Sequence, residues 1–202
     1  RLKVIVHVGP KGFQKVGHIC FAYDDIVYSY GNYDSDSFHL NQTIGDGIFF
    51  TVPLEKYIPN MITAENNSIF EYGIYTTSKQ NALIEKEIEK IRQNGYRWYT
   101  KIEKEDGYDR FSEYEMDYPS RLHYRTGAKL YKVKSGKFHI YWALGDNCAS
   151  FTDLVLGTLG ADVLSIRGII SPGTYLDWLQ KEYLKKNSPI VFRRIYKEWD
   201  SE

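Results

Sequence analysis

Apolar positions along this chain follow two different periods. "LKVIVHV" (2–8) is an almost unbroken apolar run and reads as a buried strand. "GPKG" then turns the chain. "VGHICFAY" (16–23) and "IVYSYG" (26–31) flank Asp24-Asp25, the pattern of a hairpin closed by a two-residue turn. A polar loop, "NYDSDSFHLNQTIGDG" (32–47), leads to a strand "IFFTVP" (48–53), and "SIFEYGIYTT" (68–77) is a further strand. There the period changes. Thr77 or Ser78 is placed to cap a helix that runs to about Gln93, with Ile84, Ile88 and Ile91 as its buried stripe and Asn94-Gly95 as its end. The charges of "EKEIEK" form the wet face of that helix.

Residues 96–127 are polar and tyrosine-rich without clear periodicity, and read as an insertion or lid over the core. "AKLYKV" and "KFHIYWAL" follow and are expected to pair about Ser135-Gly136. Beyond Cys148, Phe151, Leu154, Val155 and Leu159 share one helical face, with Gly160 as the stop. Ser171-Pro172 opens another helix, with Leu176 and Leu179 inward, and "PIVFRRIY" (189–196) closes as a strand. No internal repeat or low-complexity segment appears. The pattern predicts a single α+β domain over 1–202, with a mostly antiparallel sheet, the Cys148 helix packed on it and the tyrosine-rich insertion at about 96–127.

Composition narrows the function classes. The 26 acidic and 26 basic residues balance, so no long-range field favours nucleic acid or an anionic membrane. No apolar run reaches the roughly 18 residues of a membrane span, so stable membrane insertion is not expected. Two cysteines are too few for a disulfide scaffold. The 18 tyrosines suit strands, and also a groove that binds peptide or sugar. The first residue is arginine, which suggests a trimmed product or an excised domain.

One of the two cysteines sits at the seam of "GDNCASFTDLVLGTLG" (145–160), where a polar turn meets an apolar helix. Capped by Asn147 or Asp146, Cys148 falls in the first turn. Unpaired N–H groups and the helix dipole there favour a thiolate, and the same groups offer donors to an oxyanion. A base must accompany it. His18 follows a glycine at the start of an apolar strand, His7 and His139 also lie on strands, and His39 and His123 lie in loops; spacing along the chain does not choose among them. If Asp24-Asp25 is a two-residue turn, Ser29 faces the same side as His18 and Cys20, and is the group that would orient the imidazole. A slip of one residue would put Tyr28 or Tyr30 there instead. His7, His18 and Cys20 are the rival zinc set, but no C-x-x-C, H-E-x-x-H or H-x-x-x-H spacing supports it. No phosphate-binding glycine motif is present, "GDGIFF" lacks the spacing of a calcium loop, and the scattered carboxylates pair in no glycosidase pattern. Neither metal nor cofactor is expected.

"VGHICFAYDDIVYSYG", followed more than a hundred residues later by "NCASFTDLVL", resembles the circularly permuted papain-like fold, in which the histidine strand precedes the cysteine helix. Permuted NlpC-type peptidases, lecithin retinol acyltransferase-like enzymes and the PPPDE desumoylating isopeptidases share this layout. The resemblance covers residues 16–31 and 138–160. It implies Cys148 as nucleophile, His18 as general base and acid, and Phe151 as the aromatic that seats the helix. Asn147 matches the residue before the nucleophile, and with Asp146 is expected on the substrate side. "VYSYG" is similar to the "EYFFG"-type strand of the isopeptidases and lacks the second histidine of the acyltransferase-like branch. The implied function is a thiol hydrolase of amide bonds, acting on peptidoglycan peptide as an amidase or endopeptidase. An antibacterial effector or toxin domain of that kind would be secreted or delivered to the periplasm or cell wall of a target bacterium, and would be matched by an immunity protein. The alternatives are an isopeptidase for a ubiquitin-like modifier, a lipid acyl hydrolase or transferase, and an inactive module that binds peptide or glycan.

Overall fold

A hairpin centres the molecule. Strand β2 (Val16–Tyr23) turns into β3 (Ile26–Gly31) through Asp24 and Asp25, whose φ angles of 48° and 60° are those of a two-residue turn that follows strand twist. The computed structural model describes residues 1–9, 16–105, 112–113, 115–159 and 171–197. The turn at "GPKG" and the helix stop at Gly160 lie outside, wholly or in large part.

Around the hairpin stand β1 (Leu2–Val8), β5 (Ile48–Pro53), β6 (Ser68–Ile74), β7 (Gly95–Trp98), β8 (Lys129–Val133) and β10 (Ile190–Tyr196). Together they make one eight-stranded antiparallel sheet in the order β10-β6-β1-β2-β3-β5-β8-β7. A small second sheet joins β4 (Ile44–Asp46) to β9 (Ile140–Trp142). Because strand side chains alternate, each sheet face has its own core. On one face Val4, Val6, Ile19, Phe21, Tyr30 and Phe49 pack under α2 (Ser78–Gln93), α5 (Cys148–Leu156) and α6 (Pro172–Tyr183). On the other Ile5, Cys20, Ala22, Phe50 and Leu130 pack under α1 (Leu54–Thr63) and α4 (Tyr118–Thr126). The fold is α+β with helices on both sides of an antiparallel sheet.

Helix caps follow the sequence reading. Thr77 closes a capping box with Gln80 at the start of α2, and Ile84, Ile88 and Ile91 are its buried residues. Ser171 caps α6, which buries Leu176 and Leu179.

Four stretches differ from the pattern-based expectation. Residues 54–63, to which the apolar pattern assigns no element, form a helix in which Leu54, Tyr57, Ile58 and Met61 are buried at helical spacing in spite of Pro59. The loop at 32–47 contains β4. "KFHIYWAL" does not pair with β8, whose two edges are taken by β5 and β7; its Ile140–Trp142 pairs with β4 instead. The tyrosine-rich stretch is built into the fold: it supplies β7, the short helix α3 (Lys101–Lys104) and α4, and Leu122 of α4 is core. Among the described residues no helix is long and apolar enough to cross a membrane.

Candidate active site

The ladder between β2 and β3 is short. It runs from Tyr23–Ile26 to Phe21–Tyr28 and stops, while β2 continues along β1 as far as Val16 and β3 continues along β5 to Gly31. Beyond Phe21 the two strands no longer pair with each other, which leaves the N–H of Ile19 without a strand partner on that side. The tip of α5 meets this opening.

Phe151 seats the helix. Its ring stacks on Tyr30 at 5.0 Å between centroids and meets Phe138 edge-on at 5.3 Å. Asn147 is the N-cap: its Oδ1 accepts from the N–H of Ala149 at 2.9 Å and of Ser150 at 3.0 Å, and Ser150 closes the capping box. Its Nδ2 donates to the Ala143 carbonyl at 3.0 Å. The side chain expected on the substrate side is thus engaged in holding the helix start. Asp146 has a similar part, its Oδ2 accepting from the Phe138 N–H at 3.4 Å and its carbonyl from Trp142. Of the first-turn donors, the N–H of Cys148 itself is the one that capping leaves for an oxyanion.

Cys148 is the first residue of α5 and is 4% exposed. Burial pushes its pKa up to about 11, against the pull of the N–H groups of Ile19, Ala149 and Cys148. The low pKa expected from the helix end is therefore reversed by desolvation, and the resting group is a thiol. The N–H of Ile19 is thus among the groups that favour a charge on the sulfur. A charge on it also opposes ionisation of Cys20 and Tyr33 on the opposite side.

That opposite side carries His18. By alternation its ring shares the face of Cys20, not that of Ile19 and α5. His18 Nε2 lies 2.6 Å from Ser29 Oγ, which lies 3.1 Å from the Tyr33 hydroxyl. Burial lowers the His18 pKa to about 4, so the imidazole is neutral at neutral pH. No hydrogen bond joins His18 to Cys148 among the described residues; Nδ1 is the ring nitrogen that Ser29 leaves open.

Of the candidates for the third group, Ser29 reaches the imidazole. Tyr30 projects to the α5 face and donates to the Phe138 carbonyl at 3.0 Å, and the Tyr28 hydroxyl accepts from Arg92 at 2.5 Å. Both are thereby removed from the His18 environment. His139 and His123 bond backbone carbonyls through Nδ1. Two further residues belong to the neighbourhood: His7, the cross-strand partner of His18, and Tyr57 of the unforeseen helix. A histidine on a neighbouring apolar strand was the signal for the first, whereas nothing local marked the second. Among the described residues no group of three or more His, Cys, Asp or Glu side chains is placed to hold a metal ion. Comparison with protein-family models, curated proteins and solved structures finds no match.

Proposed function

We propose that the chain is a cysteine hydrolase of amide bonds, with Cys148 as nucleophile, His18 as base and acid, and Ser29 as the group that orients the imidazole. The observation that carries this reading is the juxtaposition at the split: the Cys148 sulfur faces the N–H of Ile19, and the adjacent residue, His18, is anchored at 2.6 Å through Nε2 by Ser29. Nε2–H donating to Ser29 leaves Nδ1 as the base. Nδ1 takes the thiol proton as sulfur attacks the carbonyl carbon, the Cys148 N–H donates to the oxyanion, and the imidazolium returns its proton to the departing amine. Water, deprotonated at Nδ1, then adds to the thioester and expels the thiol. The order of histidine strand and cysteine helix supports a circularly permuted papain-like arrangement. Within it, the NlpC-like pattern supports peptidoglycan peptide as substrate, cut as an amidase or endopeptidase by an effector or toxin domain.

A second reading is favoured by one observation, the 4% exposure of Cys148. A thiol so enclosed suits an inactive module that binds peptide or glycan through surface tyrosines. Purified peptidoglycan, incubated with wild type and Cys148→Ala and analysed by mass spectrometry, separates the two. The enzyme releases new amine and carboxyl ends in wild type alone, and Cys148 is alkylated by iodoacetamide faster than in His18→Ala. Intact peptidoglycan together with capture of a ubiquitin-like probe as a thioester moves the assignment to an isopeptidase. Binding that is equal in wild type and Cys148→Ala, with no cleavage, establishes the module.

A further inference from the structure

His7 and His18 face each other across β1 and β2, and their rings meet edge to face, 5.2 Å between centroids and at 86°. His7 is 5% exposed. Its Nε2 lies 3.0 Å from the Tyr57 hydroxyl, and the Cys20 thiol donates to the same oxygen over 3.8 Å. The Tyr57 hydroxyl has one proton; where it donates to His7, Nε2 of His7 accepts and the ring proton sits on Nδ1.

We propose that His7 is a positioning residue of this site: locked at Nε2 by Tyr57, it keeps a neutral ring against His18 and so lets His18 alone carry the proton during catalysis. The inference rests on the reading of Cys148 and His18 as nucleophile and base. A second imidazolium at that separation would oppose the one the mechanism needs. Burial and the neighbouring His18 both lower the affinity of His7 for a proton. The other groups around the pair are Cys20 on β2, Ser29 on β3, Tyr57 on α1, and Tyr33 and Tyr118 beyond them. Burial raises the pKa of Cys20 and of the three tyrosines, so these stay neutral with His7. Further along the same face Lys3 and Glu71 pair with each other at 3.6 Å.

The test combines nitrogen-15 histidine spectra with the pH dependence of Cys148 alkylation by iodoacetamide, in wild type, Tyr57→Phe, His7→Phe and the double variant. In wild type His7 gives the neutral, Nδ1-protonated signature from about pH 5 to 8. Tyr57→Phe removes the hydroxyl that donates to Nε2, raises the affinity of His7 for a proton and slows alkylation about tenfold near pH 6. His7→Phe keeps a flat ring against His18 but has no proton to take. The double variant therefore recovers to within about threefold of wild type, a rescue that a purely structural role for Tyr57 would not give. Titration of His7 in wild type, an unchanged rate in Tyr57→Phe, or failure of the rescue overturns the proposal. Cys148 that resists alkylation in wild type at every pH overturns the catalytic reading as well; a reactive Cys148 that is indifferent to Tyr57→Phe overturns the role of His7 alone.

Discussion

Ser29 holds His18 at 2.6 Å although the strands that carry them have ceased to pair. The contact is diagonal across the opened ladder, and it fixes the ring with Nδ1 free. Ser29→Ala removes the partner of Nε2 and leaves the Tyr33 hydroxyl without its 3.1 Å partner. The stability lost is about 1–3 kcal/mol, the ordinary cost of unsatisfied buried polar groups. The larger effect falls on chemistry: with the imidazole free to rotate and change tautomer, turnover drops roughly 10- to 100-fold. Urea unfolding and initial rates on a peptide substrate measure the two separately, and a full rate in a destabilised protein would remove Ser29 from the mechanism.

Much of this architecture was legible in the chain, for definite reasons. β1, β2, β3 and β5 are short apolar runs bounded by turns, and the left-handed pair Asp24-Asp25 sets the register that turns Ser29 toward His18. Thr77 and Asn147 announce their helices because capping is a local interaction. What escaped is what depends on the rest of the fold. Helix α1 forms despite Pro59 because its apolar residues have a sheet face to cover. β9 joins β4 because β8 is already occupied on both edges. The protonation state of Cys148 follows from how deeply α5 is packed, which no window of sequence reveals; a helix end alone would have predicted the opposite shift.

Asn147 connects the start of α5 to the loop that precedes it. Asn147→Ala frees the N–H groups of Ala149 and Ser150 and breaks the bond to Ala143. The expected loss is about 1–2 kcal/mol for the cap, at the upper end because the bond to Ala143 goes with it. The alkylation rate of Cys148 measures the second consequence. If the N–H groups released turn to the sulfur, its reactivity rises while stability falls, a divergence that general loosening of the site distinguishes itself from by also exposing Cys20.

Phe151 anchors the same helix from beneath. Phe151→Ala empties the space between Tyr30, Phe49 and Phe138 and costs about 3–5 kcal/mol. Phe151→Leu retains most of the volume and is expected to cost less than half as much. Denaturant midpoints give both numbers, and equal losses would mean that ring stacking, not volume, holds α5 in place.

Two imidazoles, His7 buried and His18 partly buried, also give stability a pH dependence whose sign follows from their lowered pKa values. His18 titrates near 6.5 in an unfolded chain and at about 4 in the folded one. Above pH 6.5 it is neutral in both states and contributes no slope. As pH falls from 6.5 toward 4, the unfolded chain binds a proton that the folded one refuses, so stability declines, by up to about 3 kcal/mol for this group. His7 acts in the same direction. Among the described residues the carboxylates with lowered pKa, Asp24, Glu103 and Glu113, lose their contribution only below their ordinary values of 3.8 and 4.5. Asp153, whose pKa burial pushes up, contributes stability as pH falls and so opposes the histidines; a net fall between about pH 6.5 and 4.5 is therefore theirs. Urea unfolding across that interval is expected to show a falling stability in wild type and a shallower fall in His18→Gln. A flat wild-type profile would mean that water or a counter-charge keeps His18 near its ordinary affinity for a proton.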